Sequence, residues 1–215
     1  MAQAQPSRGR DLAELILGYA LIVGVIWTPE HWQRVLSPIV LLVTLSVVLA
    51  RQSRDDLGLG RRGLLESLWI FPAAIALAGL SIFIAAKIGT LHTLYKGDFT
   101  HIAGYVLWTI YQQFLLQDYF MARLRRLVSN QAIAVTIAGV LFAAAHLPSP
   151  ILTAATLVWG IVSCALFRRY RSIWVLGLAQ GLLGLCFAIC VPDALHHHLR
   201  VGLGYLRYRS VQPVP

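Results

Sequence analysis

The sequence predicts an all-α fold, a polytopic membrane bundle of about seven transmembrane helices, and three observations carry that prediction. Hydrophobic residues make up 58% of the 215-residue chain and charged residues only 13%, with a mean hydropathy of +0.68. That balance leaves too little polar surface for a domain dissolved in water. Apolar stretches recur at lengths near the ~20 residues that an α-helix needs to cross a hydrocarbon core. The arginines gather in short runs between those stretches, where positive residues orient spans against a membrane.

The spans are expected at 12–28, 33–50, 64–86, 101–122, 130–147, 150–167 and 172–192. The first follows Arg8 and Arg10, which resemble the basic start of a signal peptide. It runs into Thr28-Pro29-Glu30 rather than a small-x-small cleavage site, so it reads as a retained span. The second and third are plain apolar runs separated by the basic 51–63 joint. The fourth is anomalous. It places Gln112, Gln113, Gln117 and Asp118 within two helical turns, and Gln113 and Gln117 share a face that Thr109 extends one turn earlier. At ~1.5 Å per residue, Gln113 lies roughly 15 Å from Arg123 and close to the bilayer midplane. The fifth carries a small-residue face that ends Phe142-Ala-Ala-Ala-His146. The sixth is apolar with a Gly in its middle. The seventh bears Gln180 about 14 Å from the basic Arg171.

With an inside start, the joints at 51–63, 123–129 and 168–171 are cytoplasmic with the N-terminus. That side then holds twelve of the 18 Lys and Arg residues, the expected sense of the positive-inside rule. The chain is expected to be integral to a bacterial inner (plasma) membrane. The net charge of +9 could suggest nucleic acid, but the arginines sit at span ends, so no nucleic-acid partner is expected. No repeat, low-complexity run or long linker divides the chain. Residues 1–192 are therefore read as a single membrane domain, and 193–215 as a basic, aromatic tail on the membrane surface. Cys164, Cys186 and Cys190 lie in apolar runs, in no metal-ligand spacing, and read as buried small residues. His196, His197 and His198 are consecutive and cannot share one face of a regular element, so neither metal nor cofactor is expected.

Polar side chains inside a membrane are expensive unless they face the bundle interior or a wet cavity. Such groups on the fourth, fifth and seventh spans can converge only inside the bundle. The bland reading is that the amides join helices by hydrogen bonds. The functional reading is a site.

Order and spacing supply a more specific reading. Gln112-Gln113-x-x-x-Gln117, Phe142-x-x-x-His146 and Gln180-x-x-x-Gly184 resemble the three motifs of the CAAX-protease and bacteriocin-processing membrane family, also called Abi-like or type II CAAX endopeptidases. Those motifs are Glu-Glu-x-x-x-Arg, Phe-x-x-x-His and His-x-x-x-Asn. The resemblance covers about 55–190 and takes in Asp56-Leu-Gly-Leu, Leu157-Val-Trp-Gly160 and Arg171-Ser-Ile-Trp174. It implies that His146, Gln112, Gln113 and Gln180 hold the catalytic positions, and that Gln117, Asp118, Phe142 and Gly184 stand beside a ligand. In active members a glutamate activates water. An amide cannot accept that proton. The resemblance therefore implies a cavity kept polar but discharged, which binds a membrane lipid, a prenyl chain or a membrane-bound peptide. Two further expectations stand beside it: an intramembrane endopeptidase working through His146, with Asp118 or Gln180 orienting it, and a small transporter or channel component.

Overall fold

The computed structural model describes residues 7–50, 56–94 and 97–208; Arg51, Arg54, Lys96 and Arg209, which enter the charge count above, lie outside them. Among the described residues all regular structure is helical. The helices are α1 (Arg8–Ile26), α2 (Glu30–Leu49), α3 (Arg61–Ser67), α4 (Ile70–Ile88), α5 (Phe99–Phe114), a π-helical segment (Leu115–Met121), α6 (Ala122–Leu127), α7 (Gln131–Ala144), α8 (Pro150–Tyr170), α9 (Ile173–Cys190), α10 (Asp193–His196) and α11 (Gly202–Leu206). Helices α2, α4, α8 and α9 are long and apolar enough to cross a membrane, and α7 is a shorter apolar helix.

Polarity is arranged for lipid rather than water. Leu17, Leu42, Phe83, Leu107 and Val158 are exposed on the outside of the bundle, whereas Thr109, Gln113, Gln117 and Asp118 are buried within it. A soluble protein rarely leaves such large apolar area uncovered, and a bilayer covers it at no cost.

Two predicted spans differ from the helices that form. The third breaks into α3 and α4 around Leu68 and Trp69. Pro72 has no N–H to return to the Leu68 carbonyl, so it is accommodated in the first turn of a new helix rather than inside a continuous one. The fourth runs past 122, through the π segment and α6, to Leu127. It can do so because its arginines are paired: Arg123 donates to Glu14 Oε2 at 2.7 and 3.0 Å, and Arg126 donates to both carboxylate oxygens of Asp11 at 2.6 and 2.7 Å. Asp11 and Arg123 are 1% and 2% exposed, so each pair that bolts α1 to α6 has one partner buried in the protein. Arg123 also donates to the Tyr119 carbonyl at 2.6 Å and lies 3.8 Å over the Tyr119 ring.

Contacts between joints place them at two opposite ends. At one end Arg8 donates to the Leu127 carbonyl, Ile173 N–H donates to Gly58 O, and Arg171 donates to Asp56 O. At the other, His92 N–H donates to Ile189 O, Thr90 Oγ1 donates to Cys190 O, and Gly202 N–H donates to Leu147 O. The described residues after Pro192, 193–208, pack against the bundle. Helices α10 and α11 fold over this second end, with His196 1% exposed and Gly202 set so tightly against Ile26 that a Cβ would collide with it.

Helix α9 carries the packing that shapes the interior. Its Gly177, Gly181 and Gly184 meet, in turn, Ile110, Thr109 with Val106, and Tyr105 on α5. The ladder runs antiparallel, and a Cβ at Gly177 would stand 2.6 Å from the Ile110 Cα. Thr109 Oγ1 adds an interhelical hydrogen bond to Gly177 O at 2.9 Å. Helices α7 and α8 approach in the same way through Gly139 and Gly160, where a Cβ at Gly160 would lie 3.1 Å from the Gly139 Cα. Small residues are how helices come together in lipid, where no hydrophobic force between them is available.

Candidate functional site

The close approach of α5 to α9 brings the predicted amides into one hydrogen-bonded chain. Gln117 Nε2 donates to Gln113 Oε1 at 3.1 Å, Gln113 Nε2 to Gln180 Oε1 at 2.6 Å, and Gln180 Nε2 to Gln112 Oε1 at 2.5 Å. Gln113 is fully buried and Gln117 is 1% exposed. The four amide dipoles point the same way, an arrangement in which each bond polarises the next. The π-helical segment beginning at Leu115 carries Gln117 onto the inner face. Such segments recur at functional positions.

The direction of the chain has a chemical cause. Trp159 on α8 donates its indole N–H to Gln180 Oε1 at 3.0 Å. An indole nitrogen can only donate, so the Gln180 carbonyl must face it. That oxygen also receives Gln113, which must therefore present its NH2, leaving its own oxygen for Gln117. At the far end Gln117 Nε2 reaches Ser163 Oγ at 3.5 Å, while that hydroxyl donates to Gly160 O at 3.2 Å. The polarity has a cost: Gln117 Oε1 is buried with no hydrogen-bond partner. An unsatisfied buried carbonyl costs about 1–3 kcal/mol.

Beside this chain lies a cavity of about 660 Å³, walled mainly by apolar side chains of α1, α2, α5, α7, α8 and α9. Its volume falls in the range of small-molecule sites. Gln112, Phe142, His146, Gln180 and Gly184 line it. Gln113 and Gln117 stand behind the wall and reach it only through Gln180 and Gln112. Asp118 is not at the cavity. It is buried on the π segment, and the charged groups that act on it are Arg171 and Asp56 at the arginine-rich end, so its expected place beside a ligand is corrected.

His146 follows the last turn of α7. Its Nδ1 bonds Phe142 O at 2.7 Å and its ring meets the Phe142 ring edge-on at 4.8 Å. A carbonyl only accepts, so the proton of the neutral ring sits on Nδ1 and Nε2 carries the lone pair. Among the described residues no amide or carboxylate bonds this ring; the backbone of its own helix orients it. Among the described residues no group of three or more His, Cys, Asp or Glu is placed to hold a metal ion.

Two residues of the site escape sequence reasoning. Trp159 figured only as texture next to Gly160, although an indole N–H in a span needs a partner and could have been asked for one. Tyr105 had no signal. Its hydroxyl fills the space over Gly184, so that a Cβ there would land on the phenol oxygen. The amide side chain that the third motif carries at this position fits in this chain only if Tyr105 moves aside.

Residues 99–186, which run from the start of α5 into α9 and contain every amide of the chain, match the family model for type II CAAX prenyl endopeptidases, Rce1-like. No curated protein and no solved structure matches the chain.

Proposed function

We propose, from the premise that this chain belongs to the type II CAAX prenyl endopeptidase, Rce1-like family through residues 99–186, that it binds a membrane-borne ligand with a long apolar portion and does not cut it. The observation that supports this reading is the amide chain. Hydrolysis of a peptide needs a group that takes a proton from water near neutral pH. Gln112, Gln113 and Gln180 cannot, and their carbonyls already accept from Gln180, from Gln117, and from Gln113 with Trp159, respectively. The apolar cavity next to them offers space for a chain, and the uncharged wall spares the site the cost of ions held away from water.

The protein is accordingly an integral membrane binding protein with a protease-like site. We place its N-terminus in the cytoplasm of a bacterium, and take prenylated or membrane-anchored peptides and membrane lipids as its candidate ligands. The test has two arms. Native mass spectrometry after gentle extraction is expected to find a co-purified lipid or peptide, lost when Gln112 and Gln180 are replaced by Leu. Incubation with membrane-anchored and prenylated peptides is expected to give no product. Cleavage by the wild type that disappears in His146→Ala would sink the non-hydrolytic reading.

A further inference from the structure

The amide chain can hold either of two polarities, and only one presents a hydrogen-bond donor to the cavity. Reversal would turn every side-chain amide over. Gln117 would then offer its oxygen to Gln113 Nε2 and to Ser163, and its NH2 would take the place where Oε1 now has no partner. Reversal thus exchanges one unsatisfied group for another at Gln117, and what excludes it is a single side chain. Trp159 cannot reverse, because its nitrogen has a proton and no lone pair to offer. It holds Gln180 Oε1 toward itself, and Gln180 Nε2 is left for Gln112 Oε1. The consequence reaches the cavity wall: with its oxygen taken, Gln112 has its NH2 to offer, and that group has no hydrogen-bond partner among the described residues.

A second polar group on the lining, His146, is fixed by the same kind of argument. The Phe142 carbonyl takes the Nδ1 proton of His146 and leaves Nε2 an acceptor. Of these two groups on the cavity lining one donates and the other accepts, and neither carries a charge. A carboxylate or phosphate meets the lone pair of His146 unfavourably, and an ether or ester leaves that lone pair without a proton. A hydroxyl satisfies both.

Resting on the binding function above, we infer that the cavity takes a long-chain alcohol, whose oxygen accepts from Gln112 Nε2 and whose proton goes to His146 Nε2. Trp159 is the positioning residue that sets this preference, acting through Gln180. The tyrosine hydroxyl of Tyr105, also on the wall, can donate or accept and does not discriminate.

The test compares hexadecan-1-ol, methyl hexadecyl ether and hexadecane by competition in native mass spectrometry on the full chain in lipid nanodiscs, for wild type, Trp159→Phe and Gln112→Leu. Wild type is expected to prefer the alcohol over the hydrocarbon by about tenfold or more, with the acceptor-only ether in between. In Trp159→Phe nothing fixes the polarity, so the ether's lead over the hydrocarbon should shrink while the alcohol, which can donate to a Gln112 carbonyl, keeps its lead. In Gln112→Leu the ether should bind like the hydrocarbon. A merely structural role for Trp159 would weaken all three probes together; an ether preference untouched by Trp159→Phe removes its positioning role. Equal binding of the three probes to wild type overturns the alcohol inference and leaves the binding function standing. If none of them binds and nothing co-purifies, both fall.

Discussion

A carboxylate at position 113 would face the Gln180 carbonyl oxygen, where the Gln113 NH2 now donates at 2.6 Å. Gln113 is fully buried, so water cannot separate the two acceptors. We expect Gln113→Glu to destabilise the protein by about 3 kcal/mol at neutral pH, because a charge is buried without a counter-charge and against the Gln180 oxygen. The loss should shrink as the pH is lowered toward 4, since only the protonated acid restores the donor that Gln180 needs. Thermal unfolding in detergent at pH 4.5 and pH 7.5 checks this, and an unchanged midpoint at both would contradict the amide polarity. The same logic of occupied space applies at Gly184. Gly184→Asn should destabilise strongly in the presence of Tyr105 and far less in Tyr105→Ala, so that the double variant is more stable than the sum of the singles allows. At this scale the sequence was informative about which amides share a face, because that depends only on helical periodicity. It was silent about Trp159 and Tyr105, whose roles depend on how closely two helices approach.

Among the elements, α1 is the one whose attachment is made by charge. Removing the Glu14 carboxylate leaves the Arg123 guanidinium, 2% exposed, with the Tyr119 carbonyl and ring but without an anion. Breaking one side of a buried ion pair costs about 3–5 kcal/mol, whereas replacing both sides by apolar residues is often close to neutral. Glu14→Ala should therefore lower the melting temperature clearly, and Glu14→Leu with Arg123→Met should recover most of it; a double variant as unstable as the single would show that the pair does not act as a unit. This bolt also explains what was legible and what was not. The run 101–122 reads as a span because it is apolar, but Arg123, Arg125 and Arg126 read as its end. The helix continues only because Asp11 and Glu14, far away in the chain, cancel two of those charges. Pro72 marks the opposite error, a break inside an apolar run that hydropathy alone cannot see.

Across the whole molecule, the arginines divide between the two ends that the joints define. Arg8, Arg61, Arg125, Arg126, Arg168, Arg169 and Arg171 belong to the end where Arg8 meets Leu127 and Ile173 meets Gly58. The opposite end holds Arg34, Lys87, Arg200 and Arg207, together with His92, His101 and the histidines after Asp193. The positive-inside rule assigns the richer end to the cytoplasm, which is the orientation proposed above. The pairing of Arg123 and Arg126 with Glu14 and Asp11 does not undo that bias, because acidic residues contribute little to orientation. Single cysteines introduced into a background lacking Cys164, Cys186 and Cys190 can read the orientation directly. Gly97→Cys lies in the joint before α5 and Ser129→Cys in the joint before α7, both exposed. An impermeant maleimide applied to intact cells should label Gly97→Cys and should reach Ser129→Cys only after the membrane is opened. The reverse pattern would invert the molecule, and would place the cavity's His146 end toward the cytoplasm instead of away from it.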